Sequence, residues 1–250
     1  MAKRLSEATA AELQREIQGA MSGCDCLEEA AQRFVDMLYG RFGGSLVLLR
    51  LFMTIPYAGL PQEDQSFVDR RGRDTHTSHL IHAATPIFTL LGSRGARPEW
   101  NDRRASAHFR CIPLPSTAFV ATLSMLSRQL ESVGFDLGLI DAWETKVAAL
   151  GRADQYRGML YIRDAGIDRD QQGRMIVPKQ DFVAENGVRT TLGVGSGYTR
   201  HPTLVTLFAF TDETLEVSAV EPVANLLEAF IVSTEPLVGE GRFFSRGEQR

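Results

Sequence analysis

The last third of the chain constrains its fold most. Residues 180–185 read as a turn of helix stopped by Asn186-Gly187, and residues 188–194 as an apolar strand. A glycine-rich turn, Gly195-Ser196-Gly197, then leads into a second apolar strand at 203–210 and a closing amphipathic helix at 221–237. Two strands joined by a short turn pair antiparallel. Helices with one apolar stripe must lay it on such a sheet. The expected class is therefore α+β, with a central antiparallel sheet covered by helices.

The rest of the chain extends this pattern. Leu13, Ile17 and Met21 recur at steps of four, which predicts an amphipathic helix over 8–21; a second helix is expected over 26–39, ended by the glycines between 40 and 44. Residues 46–55 form a nearly continuous apolar run that reads as a buried strand stopped by Pro56. Residues 59–74 look polar and turn-like, 79–84 read as a short helix or a strand end, and 85–91 as a strand. A short strand is expected at 111–114 and a long helix over 117–133, begun by Pro115-Ser116. Further on, a helix is placed around 143–150, a strand over 158–163 and a strand piece at 175–177. No internal repeat or low-complexity linker is visible.

Composition excludes several classes. With 250 residues, 44% hydrophobic and 23% charged, the chain can bury a full core and is not disordered. A net charge of −4 without a strongly basic block gives nucleic-acid binding no source of counterion release. Lys3 and Arg4 are followed by polar and acidic residues rather than a signal-peptide core. No uninterrupted apolar run approaches the roughly 20 residues that span a bilayer, so no membrane is expected. Three cysteines are an odd number and do not suggest a disulfide framework. A cytoplasmic protein with reduced thiols is expected.

Most motifs that suggest chemistry fail on spacing. His76, His79 and His82 fan across roughly 120° of a helix at 100° per residue, and in a strand His79 faces away from the other two, so no metal site is expected. Cys24-Asp25-Cys26 is too close for a Cys-x-x-Cys turn. Gly193-Val194-Gly195-Ser196-Gly197 lies between two strands, so it is not a dinucleotide fingerprint, and Val194 occupies a place that a nucleophile elbow at Ser196 requires to be glycine. The run from Asp168 to Gly173 mimics a calcium loop, but Lys179 stands where a bidentate Glu is required. No catalytic set emerges, and no cofactor is named by these residues.

The segment 94–110 differs in kind. Arg94, Arg97, Arg103, Arg104 and Arg110 flank Trp100, Asn101 and His108 between two strands. Guanidinium groups grip carboxylates and phosphates bidentately, and Trp offers a stacking face. The loop reads either as a solvated surface segment anchored by its Trp, or as the lining of a pocket. On the second reading Trp100, Asn101, Arg103, Arg104 and His108 are the ligand-binding candidates, with Trp100 stacking on a planar group and Arg103 or Arg104 pairing with an anionic one. Arg103 is expected to be an exposed loop residue whose loss leaves the fold nearly untouched.

The order of elements between 26 and 238 resembles a GAF domain. The resemblance is carried by helix 27–39 running through Gly43 into strand 46–52, by strand 85–91, and by Ile112-Pro113-Leu114 ahead of helix 117–133. Strand 159–162, the strand–turn–strand–helix ending, and Thr206-Leu207-Phe208-Ala209-Phe210 followed by Asp212-Glu213 complete it. Pro98 through Arg104 resembles a segment of N-terminal sensor regions in some bacterial histidine kinases. The chain departs from the family in its length, with excess residues near 56–84 and 134–157. It also has only residues 239–250 after the last helix, which leaves no room there for an output domain.

The resemblance implies a helical extension at 1–25, a GAF-like domain at 26–238 and a tail at 239–250. It further implies a non-enzymatic sensory or regulatory module of bacterial signal transduction that binds a small molecule, anionic on the arginine argument, and signals through a partner protein. Sensory domains of this kind pair through terminal helices, so a homodimer is expected. The pocket should be walled by the 100–110 loop, helix 117–133 and strand 159–163. Two other readings stay open. One is an enzyme using the same pocket, for example a thiol-based reductase of the sort some GAF-fold proteins are; the other is a dimerisation module whose pocket has closed.

Overall fold

A computed structural model describes residues 2–7, 10–142 and 156–245; the helix expected around 143–150 lies outside the described residues. β1 (Leu46–Pro56) is the central strand, buried along nearly its whole length. It pairs antiparallel with β2 (Pro86–Gly95) on one side and β6 (Leu204–Thr211) on the other. With β3 (Cys111–Pro113), β4 (Arg157–Ile162) and β5 (Thr190–Gly197), the sheet runs β3-β2-β1-β6-β5-β4, every pair antiparallel. The α+β class read from the sequence is the observed one.

A strand apolar on both faces requires a cover on each. On the first face Leu49, Leu51, Met53 and Ile55 of β1 join Leu192, Val205 and Leu207 in one core with three helices. These are α1 (Ala10–Met21), α2 (Leu27–Phe42) and, near the C-terminus, a 20-residue helix at Val220–Gly239. Leu13, Ile17 and Met21 are buried, as are Val223, Leu226, Leu227, Phe230 and Ile231. The two apolar stripes on which the homodimer expectation rests are thus spent inside the chain. By length and composition Val217–Gly239 could cross a membrane; here its apolar side is a core face. The segment after it turns back over the start of α2, where Leu27 and Glu28 amides donate to the Arg242 and Phe243 carbonyls at 2.9 and 3.0 Å. Those carbonyls satisfy donors that a helix N-terminus leaves open.

The strand piece expected at 175–177 is only an isolated bridge of Met175 with Arg169, and three further elements differ from expectation, each for a local reason. Residues 62–74 form a helix, α3 (Gln62–Asp74), rather than a polar turn; its inward stripe is Asp64, Val68 and Gly72, so it carries almost no apolar periodicity. The helix expected over 117–133 is two, α4 (Thr117–Ala121) and α5 (Ser124–Ser132), broken at Leu123, whose ψ of 80° is non-helical. The glycine-rich segment at 195–197 is strand rather than turn, and the chain reverses later, where Tyr198 N–H donates to the Thr203 carbonyl at 3.2 Å.

Those glycines seat α5 on the sheet. A Cβ at Gly193 would lie 2.1 Å from Gln129 Oε1, one at Gly195 2.6 Å from Val133 Cγ1, and one at Gly158 1.8 Å from the Ser132 carbonyl oxygen. The second face of the sheet is therefore closed over β4 and β5 by a helix resting almost on the backbone. A short helix, α6 (Gln180–Glu185), precedes β5 and ends at Asn186, followed by Gly187 at φ +64°. The long helix at Val220–Gly239 is α7.

Candidate functional site

Over β1, β2 and β6 the second face is covered less closely. The 97–109 loop, the α4–α5 joint and the 177–186 segment arch over it and leave a cavity of about 490 Å³. Its floor is largely aromatic: Phe52, Phe88, Phe208 and Phe210. Phe52 stacks on Phe88 at 4.7 Å and meets Phe208 edge-on at 5.9 Å. Strand alternation places these residues there, because Leu48, Arg50 and Phe52 point to one face of β1 and Leu49, Leu51 and Met53 to the other.

The roof is fixed by short polar contacts. The Ser93 hydroxyl donates to the Trp100 carbonyl at 2.6 Å, and Gly95 N–H donates to Asn101 Oδ1 at 2.9 Å. Gly95 must lack a side chain, since a Cβ would stand 2.7 Å from Trp100 Cε3. Trp100 meets Phe182 edge-on at 5.5 Å, Phe182 meets Phe210 at 5.3 Å, and the Arg97 guanidinium lies 5.1 Å from the Trp100 ring centre. At the mouth Arg97 faces Glu185 across 3.5 Å, with both side chains exposed.

Arg50 stands apart from every other lining residue. It lies on the floor between Leu48 and Phe52, with its guanidinium carbon 5.6 Å from the Phe109 ring centre. Its Nε is buried without a hydrogen-bond partner. Among the described residues no carboxylate pairs with it. Burial alone pushes its pKa down to about 10, which still leaves it charged at neutral pH. A guanidinium without a counter-ion on an apolar floor is an uncompensated cost to the fold.

The ligand-binding candidates separate. Trp100 and His108 line the cavity. Asn101 does not, its side chain being used on the Gly95 amide. Arg103 and Arg104 do not line it either. Arg103 is 3% exposed, not an exposed loop residue: its Nε pairs with Glu28, its Nη1 lies 3.0 Å from Asp64 Oδ2, and it sits over the Phe244 ring at 5.3 Å. Arg104 Nη2 is 3.1 Å from the same Glu28 carboxylate. Arg110 takes the other Asp64 oxygen and reaches Glu63 at 2.7 Å. The unforeseen helix α3 accounts for Arg103 and Arg110, because it brings Asp64 beneath the loop, while Arg104 turns to Glu28 of α2. The strand expected to form a wall, β4, packs on α5 instead and does not line the cavity.

Other sequence candidates are placed as follows. All three cysteines are free and buried, and none lines the cavity. Burial, then the Asp64 charge, pushes the Cys111 thiol well above its ordinary range. His76 has φ 56°, and among the described residues no group of three or more His, Cys, Asp or Glu is arranged to hold a metal ion. Asp170 closes its own loop, accepting the Gln172 and Arg174 amides and pairing with the Arg174 side chain at 2.7 Å. Arg50 went unremarked in the sequence, although it left a signal: it is the lone charge within the apolar run 46–55.

No protein-family model matches the sequence, and no curated protein matches it. Among solved structures the chain is similar to the GAF domain of an Acinetobacter phosphoenolpyruvate-protein phosphotransferase, at 12% identity and TM-score 0.44, covering 92% of each chain. It is similar to the phycocyanobilin-bound GAF domain of a cyanobacterial phytochrome, at 9% identity and TM-score 0.48, covering 93% of this chain and 97% of that one. A third similarity is to the N-acylhomoserine lactone dependent LuxR family transcription factor CepR2 of Burkholderia cenocepacia, at 12% identity and TM-score 0.39, covering 92% and 98%. Two of these three are GAF domains.

Proposed function

We propose that this chain is a non-enzymatic sensory or regulatory domain that takes a small molecule into the cavity between sheet and roof loop and reports its presence to a partner protein. The supporting observation is the cavity itself: about 490 Å³, aromatic on its floor, with Trp100 and His108 in its roof and a single charged side chain, Arg50, on the floor. That combination of apolar walls with few polar groups is what small-molecule sites use. The thiol-based alternative draws no support from the lining, which contains no cysteine. The setting we favour is bacterial signal transduction in a reducing compartment. A homodimer would have to form through surfaces other than the buried stripes of α1 and α7.

Native mass spectrometry of the protein purified from its own host tests this reading. A retained small molecule is expected, lost when Phe208→Trp fills the floor. A wild-type protein that carries none, and that shows no change in Trp100 emission with any member of a metabolite panel, would count against a sensory role.

A further inference from the structure

The lone cation on an otherwise apolar floor has a specific meaning. Were the occupant wholly apolar, a Leu or Met at position 50 would serve it better and spare the fold a half-buried charge. Phe109 shields one side of the guanidinium, and no carboxylate reaches it from any described element. Charge at the mouth has the opposite sign. The exposed lining residues Glu99, Asp102, Asp181 and Glu185 outnumber Arg97 and Lys179, and Arg97 is already paired with Glu185. That rim opposes ligands carrying several negative charges, whereas one negative group at the floor lies beyond it beside an unpaired donor.

We infer that Arg50 is the anion anchor of this cavity and that its ligand is a monoanionic organic acid, with an apolar body against the phenylalanine floor and its acidic group on the Arg50 guanidinium. This rests on the cavity reading and adds to it the residue and the ligand class. Guanidinium is suited to the task, since it offers a planar fork of donors that matches a carboxylate or sulfonate. Its half-buried position against Phe109 also leaves it less solvated than a surface arginine before the ligand arrives, so the paired state gains more than at a water-exposed arginine. Trp100 and Phe182, which meet edge-on at the roof, supply the flat upper contact.

The test uses two fluorescent probes with one body, 1-anilinonaphthalene-8-sulfonate and its uncharged parent N-phenyl-1-naphthylamine, titrated into the full chain. The sulfonate should bind wild type at least about tenfold more tightly than the neutral probe. Energy transfer from Trp100, diminished in Trp100→Phe, should place both in the cavity. Arg50→Met should lower sulfonate affinity by about tenfold or more and leave the neutral probe within about twofold. Arg50→Gln gives the same comparison with a polar side chain, and Arg50→Lys should restore part of the preference. Equal binding of the two probes to wild type, or sulfonate binding unchanged in both Arg50→Met and Arg50→Gln, overturns the anchor while leaving the cavity as a site. If neither probe binds wild type, the cavity reading falls and the anchor falls with it.

Discussion

Arg103 holds a guanidinium nitrogen 3.0 Å from an Asp64 carboxylate oxygen, with the two side chains 3% and 0% exposed. The pair joins the roof loop to α3, and through Glu28 it also reaches the first turn of α2. A contact of this kind is a structural staple, and cutting it leaves a charge stranded out of water.

Arg103→Ala should therefore destabilise the fold by about 2–4 kcal/mol, somewhat below the usual figure for a broken buried pair because Arg110 still faces Asp64. Urea denaturation measures this. Replacing Asp64 and Arg103 together by apolar residues should cost less than the sum of the single changes, since neither charge is then left alone. Strict additivity would mean that the two side chains do not interact.

Arg50 behaves in the opposite way. Removing a half-buried cation that no carboxylate of the described residues pairs with relieves the fold, so Arg50→Met should raise stability by roughly 1–3 kcal/mol in the absence of ligand. A rise in the unfolding midpoint at pH 7 is expected. A loss of stability would show that the guanidinium already has a compensating partner.

His201 makes stability depend on pH near neutrality. Burial lowers its pKa below 6.5, and Glu235 opposes this in part. The unfolded chain then binds this proton more readily than the fold. Stability is full above about pH 6.5 and declines as pH falls from there toward the folded value. Unfolding midpoints at pH 7.5 and 5.5 should differ in wild type, and the gap should narrow in His201→Gln, which can still bond to the Thr203 hydroxyl that His201 Nδ1 meets at 2.5 Å.

Gly158→Ala should cost about 2–3 kcal/mol, at the upper end for overpacking. The intruding Cβ would meet a backbone oxygen of α5 at 1.8 Å rather than a flexible side-chain tip. Thermal unfolding by circular dichroism gives the value. Gly239→Ala, with nothing within 4 Å of the added carbon, is the matched control.

What could be read in the sequence followed from periodicity. The runs that became β1, β2 and β6 and the stripes of α1, α2 and α7 carry their burial in apolar spacing, so the sheet-and-helix architecture was legible. The roof loop was also legible, because Trp100 and His108 stand out among arginines. Two things were hidden. α3 buries Asp64 and Gly72 with a single Val68, so a helix that fixes Arg103 and Arg110 has no hydrophobic signature. Without α3, Arg103 and Arg104 looked like the free cations of the loop, whereas the cation on the cavity floor lay in the middle of β1. Nor could the glycines of β5 be told from a turn, because their reason for being there is a helix more than 60 residues earlier in the chain.

That glycine bed also determines where the site can vary. With α5 seated directly on β4 and β5, no side-chain change beneath it can lower the helix further, and any enlargement there lifts it at a cost to the whole fold. Room for differently sized guests has to come from the other wall: the non-helical joint at Leu123, the 97–109 loop and the 177–186 segment. Sequences that share this scaffold but recognise different molecules should therefore differ in those three stretches, while Gly158, Gly193 and Gly195 stay fixed. The ground plan would be inherited, and the choice of guest negotiated at the ceiling.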